Sequence, residues 1–379
     1  MRSAKSGVLS DPALCCPKIP ALRTSHFAPP AFPAYISPVQ PPPRILLVRF
    51  SSMGDILLTS ALVRALRTRH TDAHIAFLVK SQFAPLVSES PRLSEVITYH
   101  DGDPLLPLAK ELRGRRFTHL LDLHGSLRSR ALHLLAPGRW REYSKRRVAR
   151  EILIRLKRNV YHDTVPEAER FFDAAEGLDV RPDGQGLEFF VSAAATAKVD
   201  AWLATHGLAG RPFTLIGPGA AHFSKRWPPE HWTALAAALA RSGKSLVVTG
   251  GRAEREVGDA IVGAARAARP EVVAENSAGE FALQETGALL QRAEALAVGD
   301  TGVMHMATAV GTPIVALMGP TVAPFGFFPY HANATVLERD LYCRPCSAFG
   351  GPTCPEGHHR CLRDIPPAEV AAALVALRR

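Results

Sequence analysis

Asp300, Thr301, Gly302 and His305 follow the apolar run Ala293 to Val298, and precede a Gly311-Thr312-Pro313 break and a second apolar run, Ile314 to Leu317. This order predicts a buried strand, an acidic turn, and a helix that opens on Thr301 and Gly302. The start of a helix offers backbone N–H groups with no intrahelical partner and the positive end of the helix dipole, and a glycine there lets an anion come close to the backbone. The segment therefore predicts a phosphate cradle, with His305 one turn further in. For the segment alone, an ordinary strand-helix junction with a satisfied histidine is the alternative.

Four more loops at predicted strand ends carry reactive side chains. Ser51-Ser52-Met53-Gly54-Asp55 follows the first strand, and its aspartate at a helix start is either a helix cap or a catalytic base. Gly217 to Pro228 combines Gly217 and Gly219 with Lys225 and Arg226, a pattern suited to a diphosphate whose charge grows as a bond to it breaks. The alternative is a solvated basic turn. Thr249-Gly250-Gly251 opens a helix in which Glu254, with Glu256 as a second candidate, could accept hydrogen bonds from ribose hydroxyls; a first-turn glutamate with no ligand reads the same way. His124, Arg128 and Arg130 end the fourth loop and suit an anionic acceptor, or are surface cations on a helix. Near the end, Cys343, Cys346, Cys354 and Cys361, with His358 and His359 between them, are candidate ligands of a structural zinc; reduced thiols or a packing loop are the alternative.

Elements that could position these loops alternate along the chain. Strands are predicted at Ile45 to Phe50, Ile75 to Val79, Val96 to Tyr99 and Thr118 to Leu123, with helices at Asp55 to Thr68, Leu106 to Leu112 and Ser126 to Leu135. The rhythm restarts after Val191 with helices at 194–205, 229–241, 253–268 and 283–290, strands at 213–216, 245–249, 271–274 and 334–338, and a last helix near 366–377. Strand-helix alternation implies parallel βαβ units, and two such series imply an α/β chain of two doubly wound domains facing each other across a cleft. The expected division is a disordered Pro-rich extension over 1–43, a first domain over 44–190, a second over 191–365 and a closing helix over 366–379, with the linker inside 185–212.

Composition narrows the partners. A length of 379 residues suits two domains, and 47% hydrophobic content suits a soluble protein. No apolar run approaches the length of a membrane-spanning helix. The net charge of +10 favours a nucleotide, an anionic membrane surface or nucleic acid, and with 7% aromatic residues and no basic-aromatic interleaving nucleic acid is the weakest of these. Residues 1–43 hold ten of the 31 prolines and lack the apolar core of a signal peptide. Six cysteines in a chain this long, Cys15 and Cys16 among them, suggest a reducing compartment.

From Arg44 onward the chain resembles the glycosyltransferase family 9 heptosyltransferases of bacterial lipopolysaccharide synthesis. The resemblance rests on Ser-Ser-Met-Gly-Asp at 51–55, on Lys225-Arg226-Trp227-Pro228, and on Asp300-Thr301-Gly302 with His305 and the trailing Ala-x-x-Gly-Thr-Pro. It implies a GT-B architecture of two Rossmann-like domains and an inverting transfer that needs no metal. It implies ADP-L-glycero-β-D-manno-heptose as donor and the lipid A-Kdo or core oligosaccharide as acceptor. Carried over residue by residue, Asp55 becomes the general base, and Lys225, Thr301, Gly302 and His305 hold the donor diphosphate. Glu254 then binds the nucleoside and Asp300 the donor sugar or its surroundings, while Ser52, His124, Arg128 and Arg130 are expected on the acceptor side. The pentapeptide is most similar to enzymes that add the first heptose to Kdo, whereas the cysteine-rich tail is similar to that of other branches. A cytoplasmic location is implied, with Arg139 to Arg158 facing the acceptor or the anionic inner membrane; a solvated helix face is the alternative for that stretch. The competing readings are a transferase or epimerase of another nucleotide sugar, and a zinc-bearing nucleic-acid-binding module.

Overall fold

Ile45, Leu46, Leu47 and Val48 are completely buried because their strand runs through the middle of a sheet with helices on both faces. The structure, a computed structural model, describes residues 41–377, so nearly all of the expected disordered extension lies outside the described residues, as do Cys15 and Cys16. The strands are β1 (Arg44–Val48), β2 (His74–Lys80), β3 (Glu95–Tyr99), β4 (His119–Asp122), β5 (Trp140–Glu142), β6 (Phe213–Gly217), β7 (Ser245–Val248), β8 (Ala274–Asn276), β9 (Ala295–Gly299), β10 (Ile314–Met318) and β11 (Ala334–Glu338). They form two all-parallel sheets, in the orders β3-β2-β1-β4-β5 and β11-β10-β9-β6-β7-β8.

The first sheet carries helices α1 (Met53–Leu58), α2 (Ser60–Arg69), α3 (Leu105–Gly114), α4 (Leu127–Leu135), α5 (Arg147–Leu156) and α6 (Glu167–Arg170). The second half adds α7 (Ala193–Thr205), α8 (Pro229–Arg241), α9 (Arg255–Ala268), α10 (Leu283–Arg292), α11 (Gly302–Val310), α12 (Arg360–Arg363) and α13 (Pro367–Ala376). Among the described residues no helix is long and apolar enough to cross a membrane.

Three expectations shift in detail. The single helix expected over 55–68 is two, α1 and α2, because Thr59 bonds back three residues: its N–H and its hydroxyl both donate to the Ile56 carbonyl, at 3.1 and 2.6 Å. The strand expected at 271–274 begins only at Ala274, since the Val272 N–H closes a turn onto the Arg269 carbonyl. The basic stretch 139–158 is not one helical face. It splits into β5 and α5 at Arg146, whose φ of 47° lies in the left-handed region.

Parallel sheets bind ligands beyond the carboxyl ends of their strands, where the strand order reverses. In the first sheet the reversal falls between β1 and β4, flanked by the loops at 49–55 and 123–126; in the second it falls between β6 and β9, flanked by the loops at 217–228 and 299–302. A continuous apolar cluster that includes Ile56, Leu57, Met304 and Ala307 packs α1 of the first half against α11 of the second. The connecting segment is clamped by Arg64, which donates to both carboxylate oxygens of Asp183 and to the carbonyls of Gln185 and Gly186.

Candidate active site

The two reversal points face each other across a cavity of about 520 Å³ lined from both halves of the chain. Helices α1 and α11 meet at their first turns. A β-carbon on Gly54 would lie 2.6 Å from His305 Cδ2, and one on Gly302 would collide with the Met53 side chain. Only glycine at both positions permits this approach, which puts Asp55 and the start of α11 on the same cavity.

Asp55 is a helix cap and more. Its Oδ2 accepts from the Ser52 N–H at 3.2 Å and the Ser52 hydroxyl at 2.7 Å, and takes a salt bridge from Arg49 Nη2 at 2.6 Å. The side chain is 22% exposed. Among the described residues no hydrogen bond engages Oδ1, which leaves one oxygen anchored and the other available to a ligand. Burial pushes this carboxyl up, but the charge of Arg49 and the bonds from Ser52 and Arg49 together hold it below the ordinary carboxylate value. Arg49, itself buried, stays protonated because Asp55 and Tyr143 outweigh the cost of desolvation.

Opposite stands the cradle. Lys225, in a short 3₁₀ turn after β6, pairs with Asp300 Oδ2 at 2.7 Å, and the Thr321 hydroxyl donates to the same oxygen at 2.6 Å. Asp300 is therefore committed to orienting Lys225. Thr301 precedes α11 in an extended conformation and its side chain makes no capping bond, so the first-turn N–H groups of α11 point towards the cavity without protein acceptors. Thr301 Oγ1 and His305 Nδ1 are buried and unpartnered among the described residues. Buried polar atoms are nearly always bonded, so these two, beside a helix start and on the cavity, are free to bond a ligand. Burial, only partly opposed by Asp300 and Asp55, lowers the His305 pKa and favours its neutral form.

Gly219, and Thr249, Gly250, Gly251 and Glu254 where the nucleoside is expected, also line this cavity. Glu254 Oε2 accepts from the Gly251 N–H at 2.9 Å and packs so close to Gly219 that a β-carbon there would lie 2.7 Å from its carboxyl carbon. Glu256 lines a neighbouring groove and does not reach this cavity.

On the other side of Asp55 a second cavity, about 330 Å³, is lined by Ser52, His124, Lys145, Arg147 and Arg150. His124 is driven down to about 4 by burial and by the charges of Arg49 and Lys145, so it is neutral there. Lys145 is lowered to about 8 by burial and by Arg49 and Arg147. Of the four residues expected on the acceptor side, Ser52 and His124 are brought together. Arg128 and Arg130 lie elsewhere, pairing with Asp101 at 3.0 Å and with Glu142 at 2.8 Å. Lys145, Arg147 and Arg150 belong to the basic stretch 139–158 expected to face the acceptor or the membrane, whereas Arg49, Tyr143 and the cavity-lining Phe327 and Phe349 are not singled out by the sequence. Arg49, a cation ending an apolar strand six residues before Asp55, was the one visible signal.

The four described cysteines are free. They influence one another: neighbouring thiols add to burial in raising Cys361 to about 12 and Cys346 above its usual value. Among the described residues, the group close enough to share one cation is Asp122, His133 and Glu142. Its members already pair internally, with His133 Nε2 3.1 Å from Asp122 Oδ2 and Arg130 on Glu142.

Residues 105–353 match glycosyltransferase family 9 (heptosyltransferase). The chain is 27% identical over 352 residues to lipopolysaccharide heptosyltransferase 2 of Escherichia coli K12, covering 88% of this chain and 98% of that one. Among solved structures, the ADP-heptose lipopolysaccharide heptosyltransferase II of E. coli superposes with a TM-score of 0.67 at 26% identity, covering 88% of this chain and 98% of that one. A family 9 glycosyltransferase of Veillonella parvula reaches 0.74 at 24% identity over 88% and 97%, and shares the two-sheet GT-B fold. An epimerase or a nucleic-acid-binding module is set aside by these matches: the chain belongs to glycosyltransferase family 9 and is a glycosyltransferase of GT-B fold.

Proposed function

We propose that this glycosyltransferase moves a heptose from ADP-L-glycero-β-D-manno-heptose to the lipid A-Kdo or heptose of the lipopolysaccharide inner core, with inversion and without a catalytic metal. The observation that carries the reading is the meeting of α1 and α11, which sets a half-anchored carboxylate beside a helix start with orphaned polar atoms. The similarity to enzymes named for ADP-heptose and for lipopolysaccharide supports the substrates.

In this mechanism Asp55 Oδ1 takes the proton of the acceptor hydroxyl as its oxygen attacks the anomeric carbon. The bond from that carbon to the diphosphate breaks on the opposite face, and its electron pair leaves with ADP. Lys225 and the first turn of α11 neutralise the charge that develops on the leaving oxygen, with Thr301, Gly302 and His305 completing the cradle. Asp300 holds Lys225 in place and lies below the donor sugar. Glu254 accepts from the ribose hydroxyls. A depressed carboxyl pKa is no obstacle, because the hydroxyl becomes strongly acidic as its oxygen bonds to carbon, and the base needs to be ionised at every working pH.

His124 and Ser52, with Lys145, Arg147 and Arg150, receive the anionic acceptor in the second cavity. Arg128 and Arg130 flank Leu127 and Leu134 on α4, which are 89% and 86% exposed, and Val148 on α5 is 74% exposed. Exposed apolar residues interleaved with cations support peripheral contact with the anionic cytoplasmic face of the inner membrane. The four free cysteines of 343–361 supply thiol donors for a structural zinc separate from the chemistry, although among the described residues no three of them lie within reach of one ion.

Product analysis tests the reading. Incubation with ADP-heptose and a Kdo-lipid A acceptor should release ADP together with a new glycosidic bond. ADP release without that bond, or activity only with a different nucleotide sugar, contradicts it.

A further inference from the structure

The buried side of Asp55 holds a chain of charges that the transfer reaction does not by itself require. Arg49 donates from Nη2 to Asp55 and from Nη1 to the Leu123 carbonyl and, at 3.3 Å, to the Tyr143 hydroxyl; its guanidinium lies 5.7 Å from the centroid of the Phe171 ring. Tyr143 donates its own proton to Glu167 Oε1 at 2.8 Å. Arg170 donates to Glu167 Oε2 at 3.0 Å and, at 2.9 Å, to the carbonyl of Pro324 in the second half of the chain. Arg49, Tyr143, Glu167 and Arg170 are each at most 6% exposed. The Glu167 N–H donates to the Gly326 carbonyl at 2.9 Å, and a β-carbon on Gly326 would lie 2.6 Å from that nitrogen.

We propose that Arg49 is a positioning residue for Asp55, held in place by a buried Tyr143–Glu167–Arg170 chain whose far end is fastened to the Pro324–Gly326 turn of the opposite half. Four donors and acceptors alternate along this chain, and each bond fixes the rotamer of the next member. Removing one partner of a buried ion pair leaves the other uncompensated, so the chain is disturbed as a unit. Its end on the second half matters because the same half carries the diphosphate cradle. The base is thereby registered against the residues that receive the leaving group, by a route that avoids the cavity. Arg49 does two things at Asp55. It fixes Oδ2 so that Oδ1 is presented to the acceptor, and its charge opposes the upward push of burial on the carboxyl.

The inference rests on Asp55 being the base, and the test separates the two. Around Asp55 the ionisable groups are Arg49 at the end of β1, His124 after β4, Tyr143 and Lys145 after β5, Glu167 on α6 and His305 on α11. Of these, Arg49 is the one that bonds it. The acidic limb of kcat/KM is measured on the full chain with ADP-heptose and a Kdo-lipid A acceptor, using short incubations with recovery checked at neutral pH. In the Arg49→Met protein the limb should rise by about one pH unit or more, with kcat at neutral pH falling roughly tenfold or more. Arg49→Lys should restore most of the limb but not kcat, since an ammonium supplies charge without the guanidinium fork. Tyr143→Phe should raise the limb less and lower kcat several-fold. A structural role alone would change the melting midpoint and leave the limb in place.

An unchanged limb in Arg49→Met overturns the inference. If that protein does not fold, wild-type limbs and kcat in Arg49→Lys and Tyr143→Phe overturn it, as does a wild-type limb above the ordinary carboxylate range. Should Asp55→Asn retain turnover, the base assignment itself fails. If Asp55→Asn is inactive while the Arg49 and Tyr143 proteins behave as wild type, only the positioning chain fails.

Discussion

Gly54 and His305 lie so close that a β-carbon on the glycine would sit 2.6 Å from the histidine ring, which joins the first turn of α1 to the first turn of α11. His305 is 5% exposed, so its ring has little freedom to yield except into the cavity that it lines.

Gly54→Ala therefore should force the two helices apart. Overpacking of this kind costs about 1–3 kcal/mol, and here the displacement falls on the reacting centre. Turnover should fall more than stability does, measured as kcat beside the thermal midpoint. An alanine protein with wild-type kcat would show that the close contact has no part in catalysis.

Lys225 pairs with Asp300 beside the cradle. Lys225→Ala should lower kcat by about 10²–10³, the usual loss when one preorganised charge-stabilising donor is removed. Asp300→Asn should cost less, because the lysine keeps its charge and loses only its orientation. Weaker ADP and donor binding with an unchanged kcat in the Lys225→Ala protein would assign the lysine to ground-state binding instead.

His124 makes stability depend on pH. Its folded pKa, about 4, lies below the unfolded value near 6.5, so the unfolded chain binds the extra proton first. Stability is complete above the unfolded value and is lost as pH falls from there towards about 4. His305 shifts in the same direction, with burial as the cause. Thermal midpoints taken across this window should fall less steeply for His124→Gln than for the wild type; parallel curves would argue against a buried neutral histidine.

The zinc proposal has its own measurement. Protein purified under reducing conditions should carry about one zinc per chain, and replacing Cys346 and Cys361 with serine should remove it and lower the thermal midpoint while leaving ADP binding intact. Metal-free protein with an unchanged midpoint would leave these residues as packing thiols.

The sequence was most legible where physics acts locally. Apolar runs such as Ile45 to Val48 and Ile314 to Leu317, short and bounded by turn residues, read as buried strands, and Gly302 after an acidic turn reads as a helix start, as the structure has them. The residues lining the main cavity, Asp55, Lys225, Glu254, Asp300, Thr301 and His305, sit at strand ends that topology brings together. Less legible were contacts made at long range. Nothing near Tyr143 or Glu167 in the chain announces that they reach Arg49, and Arg128 looked like a ligand until Asp101, distant in sequence, paired with it. The break at Thr59 was hidden because a threonine in a helical pattern does not reveal whether its hydroxyl bonds backwards or faces outward.

Asp55→Asn keeps the shape of the side chain and one accepting oxygen but removes its charge and its basicity, and so bears most directly on the role of Asp55 as the base. Heptose transfer to a Kdo-lipid A acceptor should fall by about 10²–10⁴ while ADP binds as it does to the wild type. Transfer at close to the wild-type rate would contradict it.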